Sequence, residues 1–350
     1  RALGYQTTLC GKMHFVGPDQ LHGFERRLTT DIYPSDYGWT ADWSKIEEEY
    51  SPSRMSLHSV VEAGLCDRSL QIDYDEEACH QAEVKLWDYA RNSPDQPFFL
   101  AVSFTHPHNP FTTQSKYWNL YDHDKINMPT VTGKPVEERD PWSQRYYYLI
   151  RNDEHDVSDE DIRNARHAYY GMVTYMDDMV GRLQNVLDES GLADKTVVIF
   201  TADHGDMLGE RGMWYKFNPF EWSVRIPMIV AAPGGVEGVV EKRLVSLMDM
   251  LPTFVDLASE VCGIEPTVIS YQPEEFQIDT INFDLKNVAF PFPENNAFLS
   301  SEKILTRLGF APAYDLKSML SVYYEWWMKG PNKAPKDYPL ESRIKEALGK

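Results

Sequence analysis

A long amphipathic run that stops at a glycine and gives way to a β-branched run constrains this chain more than any other feature. Ser158-x-x-Asp161 reads as a helix-capping box, and behind it apolar residues recur at helical spacing: Ile162, Ala165, Tyr169, Met172, Met176, Met179, Leu183, Val186 and Leu187. Gly191 supplies the stop, and Thr196-Val197-Val198-Ile199-Phe200 predicts a buried strand. Further strands are predicted over Phe98 to Phe104 and over Met228 to Ala232. Strands alternating with helices predict an α/β sandwich. In open sheets of that class ligands gather outside the carboxyl ends of the strands. Here two strands run straight into histidines, one into Thr105-His106-Pro107-His108-Asn109-Pro110 and the other into Thr201-Ala202-Asp203-His204-Gly205-Asp206.

Charge narrows the partners. With 34 Lys and Arg against 54 Asp and Glu, a formal charge of -20 argues against nucleic acid or an anionic membrane as partner. An anionic ligand would need a local positive site of Lys, Arg, His or a metal ion. The cysteines Cys10, Cys66, Cys79 and Cys262 are scattered without a CxxC pair, so a reducing compartment, the cytoplasm, is expected. No apolar run is long enough to span a bilayer. The chain opens at Arg1 without a methionine, which leads to the expectation that an N-terminal part, and any targeting signal in it, is missing. Residues 120–157 are polar, aromatic and dotted with proline, and read as a surface excursion outside the core. Composition shifts after Cys262, which places a boundary near residue 260 and leaves Leu316 to Met328 as the strongest helical signal beyond it.

Four clusters could carry chemistry: Gly11-Lys12-Met13-His14, Pro107-His108-Asn109-Pro110, Asp203-His204-Gly205, and Lys216. Each has a bland reading when taken singly: a surface turn, a rigid loop with a solvated histidine, a hydrogen-bonded pair, a solvated charge. An adjacent carboxylate and imidazole at a strand end can, however, both face one cation.

Their order and surroundings resemble the sulfatases of the alkaline-phosphatase superfamily over residues 1 to about 260. The resemblance is carried by Gly4-Tyr5-Gln6-Thr7 with Gly11-Lys12-Met13-His14, by Ser103 to Pro110, by Thr201 to Gly212 and by Leu247 to Thr253. Within that family the stretch from Gly11 to Trp43 is most similar to the choline-sulfatases. The resemblance implies an alkaline-phosphatase-like sandwich, a large central mixed sheet flanked by helices, and metal-dependent hydrolysis of a small sulfuric ester such as choline sulfate. Asp203 and His204 match metal ligands; a histidine in the second position, where many arylsulfatases carry Asn, is similar to choline-sulfatases and phosphonate monoester hydrolases. Lys216 matches the lysine on the sulfate and ester oxygen. His108 matches the general acid toward the leaving alcohol, with His106 as the weaker option. Lys12 and His14 match the pair that stabilises the nucleophile. For a quaternary ammonium head group the family's cation-binding Trp matches Trp39, with Trp43 and Tyr37 as further aromatic faces whose plainer reading is packing. The implied cofactor is one divalent cation, calcium ahead of manganese or magnesium, and self-association into a homo-oligomer is left open.

Two departures qualify the resemblance. The family's first metal block, Asp-Asp, and its Cys-x-Pro-Ser-Arg signature, whose Cys or Ser becomes formylglycine, are absent from these residues and are expected before residue 1. Ser51-Pro52-Ser53-Arg54 is a decoy, because Tyr50 stands at the nucleophile position. The chain alone is therefore expected to be inactive. Residues 261–350 form a divergent segment in which Ala289 to Pro293, Ser300 to Ile304 and Leu308 to Pro312 resemble the C-terminal part of NAD-dependent epimerases, without that family's dinucleotide turn or Tyr-x-x-x-Lys pair. The rival readings are a phosphonate or phosphodiester hydrolase of the same superfamily and a non-catalytic remnant or binding protein.

Overall fold

The computed structural model describes residues 4–33, 56–93, 95–235, 237–241 and 245–262, within the first of the two units into which the chain divides, Arg1–Glu265 and Pro266–Lys350. Trp39, Trp43, Tyr37, the Ser51 to Arg54 run, and the epimerase-like and helical signals beyond residue 262 lie outside the described residues. In chain order the elements are β1 (Gln6–Gly11), β2 (Arg26–Arg27), α1 (His58–Val61), β3 (Gly64–Leu65), α2 (Leu70–Asn92), β4 (Phe98–Ser103) and β5 (Thr112–Thr113). Then come α3 (Ser115–Trp118), α4 (Pro141–Leu149), α5 (Asp159–Ser190), β6 (Val198–Thr201), α6 (Glu221–Val224), β7 (Met228–Ala231) and α7 (Met250–Cys262).

Helix α5 forms where the sequence pattern requires it. Ser158 Oγ accepts the Asp161 backbone N–H at 3.2 Å while Asp161 Oδ2 accepts that of Ser158 at 2.9 Å, so the cap satisfies donors that the first turn leaves without partners. Gly191 ends the helix at φ 71°, a left-handed conformation that favours glycine. Ser158→Ala should cost about 1 kcal/mol of stability in urea unfolding, with the midpoint shifted and the slope unchanged. The apolar stripe then runs along most of the helix. Ala165, Ala168 and Met172 pack with Phe111, Trp214 and Tyr215; Tyr175, Met176 and Met179 pack with Cys79 and Tyr117; Val186 and Leu187 pack with Leu86 and Tyr89 over Phe98, Leu100 and Val198. The same helix thus sits on both β4 and β6.

The α/β class stands, and among the described residues the strands group into three small sheets. In the first, β2, β1 and β4 are all parallel, with Gly11 opposite Ser103 at the carboxyl end of both longer strands. Strands β3 and β5 pair in parallel, and β6 pairs antiparallel to β7 with Thr201 opposite Met228. Strand β6 begins two residues later than its β-branched run suggests. The turn after α5 claims Thr196, whose backbone N–H donates to Ala193 and whose hydroxyl donates to Leu192.

One expectation is corrected. Residues 120–157 were expected to lie outside the core, yet Tyr146 of α4 and Ile150 just past its end are buried in the cluster around Phe111 and Trp214. The Tyr146 hydroxyl donates to the Trp214 carbonyl at 2.5 Å, so an aromatic residue in a polar segment fills the interior by satisfying its one polar atom there. Among the described residues no helix is long and apolar enough to cross a membrane.

Candidate active site

The site begins where β1 and β4 end side by side. Gly11 has φ +104°, and a Cβ built there would lie 1.8 Å from the Ser103 carbonyl oxygen. That approach keeps the strands paired to their last residues, and Lys12 N–H still donates to Ser103 at 3.0 Å. Beyond it two loops diverge, one carrying Lys12 and His14, the other His106 and His108. A third follows β6 and carries Asp203 and His204.

Carboxylates fix these loops from behind. Asp31 Oδ2 accepts the backbone N–H groups of Met13 at 3.0 Å and His14 at 2.9 Å. Asp75, wholly buried on α2, accepts those of Thr105 at 2.7 Å and His106 at 3.0 Å. Asp206 Oδ1 accepts those of Leu208 at 3.0 Å and Tyr215 at 3.1 Å, which fixes the return of the chain to Lys216. His14, Tyr215 and Phe217 have φ of 59°, 63° and 67°, left-handed conformations uncommon for residues with a Cβ. Strain of this kind persists only where surrounding contacts over-determine it.

Held in this way, the side chains meet. Lys216 Nζ donates to His108 Nε2 at 2.5 Å, while His108 Nδ1–H donates to the Asn109 carbonyl at 2.8 Å, which sets the tautomer. The His108 and His204 rings lie 6.3 Å apart. Tyr33 stands 5.4 Å from the His14 ring and 5.9 Å from that of His108, with Lys12 Nζ 5.8 Å from its own ring centre.

Electrostatics make this a positive, partly dry cluster on an acidic chain. Burial, then the charges of Lys216 and Lys12, push His108 down to about 3, so its imidazole is neutral at physiological pH. Burial, then the neighbouring Lys12, brings Lys216 down to about 8. His14 and His204 are lowered as well, first by burial, then by Lys12 and by Lys216 respectively. Asp206 is pushed up to about 6 because desolvation outweighs its two backbone donors. Groups tuned away from their ordinary range and gathered at one place mark a functional site.

Asp203 and His204 are the residues here that could hold a hard or borderline cation. His204 Nδ1–H donates to the Gly205 carbonyl at 2.8 Å, which leaves Nε2 as a lone-pair donor 3.5 Å from Asp203 Oδ2. Two acceptor atoms facing each other at that distance fit a shared cation. Among the described residues no third His, Cys, Asp or Glu joins them in a group able to hold an ion. Lys12, His14, His108, Asp203, His204 and Lys216 thus come together. His106 does not join them: its ring, 3 % exposed, donates from Nδ1 to Asp75 at 2.6 Å and packs on Tyr175, between α2 and α5. Sequence reasoning assigned no role to Asp31, Tyr33, Asp75 or Asp206. Only Asp206 carried a signal, its place two residues beyond His204 in the strand-end motif.

Residues 1–261 match the sulfatase family. The choline-sulfatase of Rhizobium meliloti (strain 1021) is 45% identical over 261 residues, 74% of this chain and 51% of that protein. The arylsulfatase of Clostridium perfringens (strain 13 / Type A) is 27% identical over 276 residues, 73% of this chain and 56% of that protein. The chain spans about half the length of these relatives. The crystal structure of the phosphonate monoester hydrolase of Agrobacterium radiobacter superposes with a TM-score of 0.53 at 22% identity, covering 76% of this chain and 61% of that one. That likeness shows the fold, an alkaline-phosphatase-like α/β sandwich.

Proposed function

The chain belongs to the sulfatase family, and from that premise we propose that its cluster of lysines and histidines serves the metal-dependent hydrolysis of a small sulfuric ester, choline sulfate or a close analogue. The observation that carries this reading is the Lys216–His108 pair, with Lys12 close enough to depress Lys216, beside Asp203 and His204. An anion can be held on a chain of charge -20 only where positive charge is concentrated, and this is such a place.

Roles follow from position and charge. Lys12 and Lys216 hold the sulfuryl oxygens. In this reading the proton passed to the leaving alkoxide is the one that Lys216 Nζ donates to His108 Nε2, and the Asn109 carbonyl, by accepting from Nδ1, keeps Nε2 turned toward Lys216. His14 orders the opposite wall with Tyr33. Asp203 and His204 would hold a divalent cation, calcium ahead of manganese or magnesium. Such an ion, when bound, neutralises charge on the sulfuryl group. Trp39, with Trp43, would offer aromatic faces to a quaternary ammonium, which cannot donate a hydrogen bond. The division into a sulfatase domain over 1–260 and a divergent tail over 261–350 belongs to the same reading.

The 350 residues hold no Cys-x-Pro-Ser-Arg run, so binding is the readout for the chain as it stands. Calorimetric titration with choline sulfate in the presence of calcium should give saturable binding. Asp203→Asn should weaken calcium binding at least tenfold, about 1.4 kcal/mol, by removing a charged ligand. Absence of calcium-, manganese- or magnesium-dependent binding in the unmodified chain would sink the proposal. A second reading is a binding protein without turnover. Trp39-dependent choline binding with no release of sulfate supports that one, whereas sulfate release overturns it. Preference for an aryl phosphonate over choline sulfate would redirect the substrate class.

A further inference from the structure

The loop that carries Lys12 and His14 could not hold its shape unaided. His14 sits at φ 59°, and its neighbourhood is rich in positive charge from Lys12 and Lys216. Behind it lies Asp31, whose side chain is 4 % exposed. One of its oxygens, Oδ2, accepts three donors: Met13 N–H at 3.0 Å, His14 N–H at 2.9 Å and Arg27 Nη2 at 2.8 Å. Arg27 is itself fixed by the Thr29 and Gly11 carbonyls, each at 3.0 Å, and by Gln20 at 2.5 Å. Gly11 is the last residue of β1, so the clamp ties the strand end to the loop that leaves it.

Two consecutive backbone N–H groups converging on one oxygen fix two peptide planes at once, and hence the direction of the side chain that leaves between and after them. Burial by itself would raise the Asp31 carboxyl; the donors from Arg27, Met13 and His14 outweigh it, and the net shift is downward, so the group is an acceptor throughout the physiological range. Its charge is offset in part by Arg27 and by the backbone dipoles that it accepts from.

We infer that Asp31, backed by Arg27, is a positioning residue for the candidate site: its carboxylate holds the strained Lys12-Met13-His14 turn so that Lys12 and His14 face Tyr33, His108 and Lys216. The inference rests on the sulfuric-ester reading only for its functional consequence; the positioning itself is read in the absence of any ligand. The experiment follows the histidine ring resonances of the whole chain by NMR, with His14 assigned through His14→Gln, alongside calorimetric titration with inorganic sulfate. Asp31→Ala should move the His14 resonances, since the ring leaves the neighbourhood of Tyr33, and weaken sulfate binding about tenfold while the helical circular dichroism is kept. Asp31→Asn keeps one acceptor oxygen in the same volume but loses the charge paired with Arg27, so it should move the His14 resonances in the same direction by a smaller amount. If Asp31→Ala does not fold, Asp31→Asn decides alone: loss of the Arg27 partner must still shift the His14 ring. Unmoved His14 resonances in the folded variants overturn the inference. A wild-type chain that fails to bind sulfate would count against the functional reading, and the His14 comparison would still decide the positioning.

Discussion

Lys216→Met is expected to weaken binding of inorganic sulfate by about a hundredfold, the equivalent of roughly 2–3 kcal/mol for a charge-assisted contact in a desolvated site. The same substitution should raise the His108 imidazole only part of the way from its present value of about 3, because burial, the largest cause of the depression, stays while the adjacent ammonium goes. The unmodified chain carries a matching pH signature. Lys216 is cationic below about 8 and neutral above it, so sulfate affinity should be full on the acid side and fall as the pH rises through that value. Stability moves the other way. A lysine whose folded pKa is lowered from 10.5 to about 8 binds fewer protons in the folded than in the unfolded chain across that window, so its contribution to stability improves as pH rises through it. Titrations with sulfate from pH 6 to 10, paired with urea melts, separate the two trends. Lys216→Met should flatten both, and a pH profile left unchanged by the substitution would remove Lys216 from the site.

What was legible in the sequence was what is local. Helix α5 announces itself because a capping box, a 3.6-residue stripe and a terminal glycine all lie within one continuous segment. Strands β4, β6 and β7 show as short apolar runs. Strand β1 did not, since its place is set by pairing with β4, from Gln6 opposite Phe98 to Gly11 opposite Ser103, a contact far apart in sequence. The site divides in the same way. Lys12, His14, His108 and Lys216 could be picked out by residue type and motif, but the groups that aim them could not. Asp31, Asp75 and Asp206 act on backbone N–H groups, which every non-proline residue possesses and no residue type marks. His106 illustrates the converse. Its motif position equals that of His108 in prominence, and only the packing of α2 against α5 assigns its ring to Asp75.

The strand pair that brings these loops together should fail at one glycine. Gly11→Ala is expected to cost about 2–5 kcal/mol, because it adds two penalties. At φ +104° an L-residue is strained by roughly 1–2 kcal/mol. The new methyl would also meet the Ser103 carbonyl at 1.8 Å, backbone against side chain, and relieving that contact by parting the strands costs a further 1–3 kcal/mol. Gly23 separates the two terms: its φ is +96°, but a Cβ there meets nothing within 4 Å, so Gly23→Ala should lose only the backbone share. Urea unfolding of the two variants gives the difference directly. A loss of several kcal/mol is a large part of the roughly 5–15 kcal/mol that holds a domain folded, so Gly11→Ala should also surrender sulfate binding, since the Lys12 N–H to Ser103 bond parts with the strands. Equal losses for the two variants would mean that β1 and β4 are not packed so closely at their ends, and that the meeting of Lys12 with His108 depends on the loop anchors alone.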